Sequence, residues 1–149
     1  MIELNVTNLV GGNIVITTGG SAPAGHADTW VKYSGDTEWT PVSIQGSIEG
    51  SWDDNIGWIS TTQIPNVSNV VELEIGTGVT SIGDFAFLNL DSLTSVTIPN
   101  SVTYIGMNAF DTCNSLSNVT FLGKTMEQVQ EMDNYGWDWG INPSIINVA

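Results

Sequence analysis

The feature that most restricts what this chain can fold into is a repeat with a fixed period of 23 residues. Residues 79–101 read VTSIGDFAFLNLDSLTSVTIPNS, and residues 102–124 read VTYIGMNAFDTCNSLSNVTFLGK. Val79 returns as Val102, Ile82 as Ile105, Gly83 as Gly106, Ala86 as Ala109, Phe87 as Phe110, Leu93 as Leu116, Val96 as Val119 and Ile98 as Phe121. A unit this small cannot bury its own apolar face, so its copies must stack and share one core. One period earlier, Ile56, Ile59, Ile64, Val67, Val70, Leu73 and Ile75 fall on the same positions, with Ser60 and Gln63 replacing the glycine and alanine. This reads as a degenerate first copy, as expected of a terminal unit with a different neighbour.

Within each copy the spacing Leu93-x-x-Val96-x-Ile98, repeated as Leu116-x-x-Val119-x-Phe121 and Val70-x-x-Leu73-x-Ile75, is the L-x-x-L-x-L core of leucine-rich repeats. Alternate residues of a short strand point to opposite faces, so Val96 and Ile98 turn inward while Ser95 and Thr97 turn out. The segment from Ile82-Gly83 to Ala86-Phe87 suits one helical or 3₁₀ turn returning over the core.

The run SIGDFAFLNLDSLTSVTIPNSVTYIGMNAFDTCNSLSNVTF resembles the BspA-like (Treponema pallidum-type) leucine-rich repeats, with their IG-x-x-A-F-x-x-C-x-x-L-x-x-V-x-I-P consensus. The match is close over 79–121 and weaker back to Ile56, and the consensus cysteine falls on Cys113 in one unit and on Leu90 in the other. The resemblance implies non-catalytic repeats acting in adhesion or recognition, as found in bacterial and protist surface proteins and some phage proteins.

The flanks differ in kind. Ile2, Leu4 and Val6 alternate, Gly11-Gly12 reads as a turn, and Ile14-Val15-Ile16 reads as a second strand. Residues 19–27 look like a loop, and Trp30–Tyr33 with Glu38–Ile44 form a hairpin across Ser34-Gly35-Asp36. Residues 1–50 are expected to form a small β module that anchors or oligomerises, 51–124 the repeats, and 125–149 a C-terminal cap. In the cap, Thr125 and Gln128 have capping-box spacing, Met126, Val129 and Met132 share a helix face, and Ile145, Ile146 and Val148 suit a last strand. The expected fold class is therefore β-rich α+β, a short leucine-rich-repeat solenoid with an N-terminal all-β module and a C-terminal capping helix.

Composition limits the partners. Sixteen acidic side chains face only two cations, Lys32 and Lys124, for a net charge of −14. Such a chain cannot neutralise a phosphate backbone, and the same field opposes anionic lipid, so neither nucleic acid nor membrane is expected. No apolar run reaches the roughly 18 residues of a membrane span, and no signal segment is visible behind Met1.

Each candidate site has a plain alternative. Ser21, His26 and Asp28 share one loop, which lacks the rigid scaffold a catalytic triad needs; Cys113 replaces an apolar residue and reads as a core thiol. Trp52-Asp53-Asp54-Asn55 and the group Asp133, Asn134 and Asp138 offer oxygen ligands without the spacing of a calcium loop, so they read as solvated acidic loops. No catalytic set, cofactor or metal is assigned. The candidate contact residues are Glu72, Glu74, Ser95, Thr97, Asn118 and Thr120 on the strand face, and Trp52, Trp58, Trp137 and Trp139 outside the clean units. The expectation is a structural or recognition protein with protein partners, a homo-oligomer in a larger assembly. It would be a phage virion decoration, fibre or tail component, or alternatively a bacterial cell-surface adhesin fragment binding host protein or glycan.

Overall fold

A computed structural model describes residues 27–149 together with the backbone of two earlier strands, β1 (Asn5–Val10) and β2 (Asn13–Thr17). These two pair antiparallel, and β2 contains the expected Ile14-Val15-Ile16 strand; Ile2, Leu4 and the expected Gly11-Gly12 turn lie outside the described residues. The expected hairpin follows as β3 (Thr29–Tyr33) and β4 (Thr40–Val42), with Trp30 opposite Pro41. Then come β5 (Gly46–Ile48), β6 (Ser51–Asp53), β7 (Gly57–Ile59), β8 (Val70–Glu74), β9 (Val79–Ile82), β10 (Ser95–Ile98), β11 (Tyr104–Ile105) and β12 (Asn118–Phe121). A short α-helix, α1 (Met126–Gln130), precedes the last strand, β13 (Ile146–Val148).

The 23-residue period becomes a stack of parallel strands. Val96 of β10 lies between Leu73 of β8 and Val119 of β12, and Ile146 of β13 adds the next rung. The whole sheet runs β13-β12-β10-β8-β3-β4, in which only β3 and β4 are antiparallel to their neighbours. A second, three-stranded parallel sheet, β11-β9-β5, stacks the other side of each unit. Val79, Ile82, Phe87, Val96, Ile98, Ile105, Phe110, Val119 and Phe121 are all fully buried between the two sheets and the turns joining them. Phe87 stacks on its repeat mate Phe110 with ring centroids 5.1 Å apart.

The turns differ from the helical or 3₁₀ turn expected after Ile82-Gly83. They are successive β-turns, closed by Ala86 N–H to Gly83 O and Leu88 N–H to Phe85 O, with a left-handed residue in each unit. That geometry repeats as well: Asn66, Asn89 and Thr112 share positive φ one period apart, and so do Phe85 and Asn108. The repeated glycine has a packing cause. Gly106 N–H donates to Ile82 O at 2.7 Å, and a Cβ on Gly106 would sit 2.5 Å from Asp84 N, so only glycine lets the rungs close up here. The many Ser and Thr residues bind rung to rung: Thr94 Oγ1 donates to Val71 O at 2.9 Å, and Ser117 Oγ to Thr94 O at 3.3 Å.

The first copy departs from fixed-period counting. Val70, Leu73 and Ile75 are buried as expected and Ile64 joins them, but Ile59 is only partly covered and Ile56 is 75% exposed. Ile48, paired with Ile82, occupies the place beneath Ile82 that was expected for Ile59. The residues in between form the β6/β7 hairpin, an insertion that shifts the true start of the first unit back to Gly46. Consequently the boundary expected near Gly50 meets no break in sheet or core: β3 pairs with β8, β5 with β9, and Val31, Ile44 and Ile48 share one apolar cluster with the repeats.

At the other end, the capping box forms in both halves. Gln128 N–H donates to Thr125 Oγ1 at 3.2 Å, and Thr125 N–H to Gln128 Oε1 at 2.8 Å. Val129 is fully buried, with Met126 and Met132 packed partly against the same core. Of the predicted last strand only Ile146 is buried, while Val148 is 39% exposed.

Candidate functional site

Strand pairing gathers the six polar candidates onto one surface. Glu72, Ser95 and Asn118 stand side by side in one row, and Glu74, Thr97 and Thr120 in the next. Pairing extends the rows at both ends with two residues that the repeat pattern did not single out. Lys32 lies opposite Glu72, and Asn147 lies opposite Thr120 and donates from Nδ2 to Asn118 Oδ1 at 2.6 Å. Alternation within β3 and β13 was the signal that could have found them.

The electrostatics of this face are graded. Lys32 Nζ lies 3.3 Å from Glu72 Oε2 and 5.1 Å from the centre of the Trp39 ring, held between a carboxylate and an indole. Burial, and then the Glu72 carboxylate, push the Glu74 pKa above its ordinary value. The opposite end carries only amides and hydroxyls. Across the sheet, from β3 to β13, chemistry thus passes from charged to neutral. The cleft lined by Tyr33, Ser34, Asn66 and Asn69 lies beside it, where Tyr33 OH donates to Pro65 O at 2.6 Å.

The tryptophans do not form one group. Trp139, expected as a contact residue, is fully buried: its Nε1 donates to Asp133 O at 2.9 Å and its ring packs on Phe121 and Tyr135. An indole whose apolar body and N–H are both satisfied inside the fold has nothing left for a ligand, and Trp139 is a core residue. Trp137, two positions earlier, is 69% exposed. Trp52 and Trp58 face each other across the inserted hairpin at 5.6 Å, and Trp58 stacks on Phe85 at 4.8 Å.

The acidic loop of Trp52-Asp53-Asp54-Asn55 is the turn of that hairpin. Asp53 Oδ1 accepts from Asn55 N–H at 2.8 Å and Ile56 N–H at 3.0 Å, and Gly57 supplies φ +96° where the chain returns. Among the described residues, no group of three or more His, Cys, Asp or Glu side chains is placed to hold a metal ion. Ser21 and His26 lie outside the described residues. Cys113 is partly buried, its Sγ donates to Phe87 O at 3.0 Å, and burial pushes its thiol up to about 12. It stays protonated and unreactive at neutral pH. Among the described residues, no helix is long and apolar enough to cross a membrane.

Stacked units of one period, presenting a polar strand face, define a leucine-rich-repeat module of the kind that mediates protein interaction and adhesion. A family model, the BspA type leucine rich repeat region, matches residues 52–135 in 6 copies, and the chain belongs to that family. No curated protein and no solved structure matched the chain.

Proposed function

We propose that the chain is a non-catalytic recognition component displayed on a virion, as a decoration, fibre or tail protein. In this reading the repeats form a short solenoid, residues 125–149 cap its open end, and residues 1–50 anchor it as a homo-oligomer in a larger assembly. The observation that carries the reading is the strand face itself. Six polar side chains from three successive rungs lie side by side in two rows, which suits reversible contact with a folded partner better than enclosure of a small substrate. The family match favours a second setting, a bacterial cell surface, where the same face would engage host protein or glycan.

Immunogold labelling with antibodies against the purified chain tests the location. Gold on purified phage particles is the expected result, whereas gold confined to intact bacterial cells would replace the virion reading by the cell-surface one. Converting the face with Thr97→Arg and Thr120→Arg should abolish partner attachment with the fold retained. Attachment that survives both changes would remove the strand face from the function.

A further inference from the structure

The inserted hairpin carries exposed apolar surface that the fold does not need. Trp52 is 60% and Ile56 75% exposed, yet the aromatic group is held in place. Trp52 Nε1 donates to Asp54 Oδ1 at 3.1 Å, Trp52 meets Trp58 edge to face, and Trp58 lies parallel to Phe85. Phe85 occupies the left-handed region at φ 59°, where the next unit has Asn108. A bulky side chain is costly at such a backbone position, and here it supplies the floor on which Trp58 rests. The result is a prefixed aromatic surface, which loses little side-chain entropy on binding. Carboxylates flank it along the chain: Asp53 and Asp54 belong to the hairpin, and Asp84, whose Oδ1 accepts from Met107 N–H at 2.8 Å, precedes Phe85.

The rest of the molecule indicates what such a surface takes. Lys32 shows the chemistry internally, with its ammonium between the Trp39 ring and the Glu72 carboxylate. The chain cannot repeat that arrangement at the hairpin from its own resources. Its only other lysine, Lys124, donates to Asn100 O at 3.0 Å and Asn100 Oδ1 at 2.7 Å, and it has no arginine. A second copy would bring only the same two lysines, each already engaged with Glu72 or Asn100, so it does not supply the cation either. We propose that the Trp52, Trp58 and Phe85 surface with its flanking Asp53, Asp54 and Asp84 docks a lysine- or arginine-bearing segment of a partner protein. Aromatic faces attract the cation, the carboxylates pair with it, and Ile56 covers the aliphatic stem. The inference rests on the chain being a recognition protein, but it depends neither on virion location nor on the strand face.

The test uses the full chain and a fluorescein-labelled decapeptide of alternating Arg and Gly, read by fluorescence anisotropy, with an alternating Gln and Gly peptide as the neutral probe. The Arg peptide should bind, weaken as salt rises, and bind Trp52→Ala/Trp58→Ala about tenfold less well, although that variant keeps the full charge. Glu127→Gln/Glu131→Gln, which removes the same amount of charge from the exposed side of α1 and its C-terminal end, should leave binding within about twofold. Thermal melts of both variants establish that they are folded. Equal affinity of the tryptophan variant and the native chain would mean diffuse attraction to an acidic protein and would overturn the proposal, as would absence of binding. Equal binding of the neutral peptide, neutral-glycan binding lost in Trp52→Ala, or a dimer dissolved by Trp52→Ala would each assign the surface to another occupant and overturn it too. Immunogold localisation is unaffected by any of these outcomes, so failure here and failure of the virion reading are separable.

Discussion

The two regular units and the hairpin set into the unit before them use the same residue types for opposite ends. From Val79 to Phe121, aromatic and aliphatic side chains at repeat positions disappear into a shared core, and carboxylates are few. In Ser51–Ile59, two tryptophans and an isoleucine stand in solvent beside two aspartates, with Trp58 stacked on Phe85 of the repeats. A stacked fold can tolerate such an excursion because each rung contacts only its neighbours, so an insertion on the turn side leaves the strand side in register. The lesson is that periodicity marks what holds the molecule together, and the break in periodicity marks surface free to vary.

The sharpest way to break that contrast is to truncate an aromatic residue in each region. Phe110 is fully buried against Phe87, so Phe110→Ala should cost about 3–5 kcal/mol in a urea titration. Trp52→Ala, at an exposed ring, should change stability by about 0.5 kcal/mol or less. Comparable costs would show that the hairpin is part of the structural core.

Glycine gives a smaller version of the same comparison. Gly106→Ala drives a Cβ into the backbone of the preceding rung and should cost about 1–3 kcal/mol, with amide exchange accelerated at both Ile82 and Ile105. Gly57→Ala meets open space, so its cost is the left-handed backbone alone, about 1 kcal/mol, and exchange should quicken only in the hairpin. Phe85 joins the two regions. Phe85→Asn relieves a bulky left-handed residue but removes the stack on Trp58, two effects of about 1 kcal/mol that nearly cancel. In a Trp58→Ala background the stack is already gone, and Phe85→Asn should then stabilise; a destabilised double variant would deny that the backbone there is strained.

How much of this was readable in advance follows the same division. Strand register, the core, the two polar rows and the capping box could be read directly because each rests on a spacing of 2, 3 or 23 residues. The hairpin could not, because counting back by a fixed period assigns residues to positions even where a segment has been inserted, and so it placed exposed Ile56 in the core. A local signal was present: an aspartate and a glycine at turn positions between two tryptophans. Trp137 and Trp139 show a different limit. Two identical residues in Gly136–Trp139 have opposite fates because one indole finds Asp133 O and the Phe121 ring inside the fold, a matter of three-dimensional closure that spacing does not encode.

The smallest effect concerns the charged end of the strand face, which contrasts with its neutral end. Glu74 has a folded pKa raised above the ordinary 4.5, first by burial and then by Glu72. The folded state therefore holds this proton more tightly than the unfolded chain does. Its contribution to stability is complete below the unfolded value and is lost as pH rises through the higher folded value, the reverse of a salt-bridged carboxylate. Glu74→Gln removes that titration. Half-exposure screens the effect, so the variant should match the native chain near pH 4 and exceed it at pH 7 by well under about 1 kcal/mol. Thr97→Val, in the same row one rung along, leaves that titration in place and should show the native pH dependence. Urea midpoints at the two pH values give the comparison. A Glu74→Gln variant that loses ground on going from pH 4 to pH 7 would mean that the carboxylate is stabilised at this face, and that the graded electrostatics of the sheet run the other way.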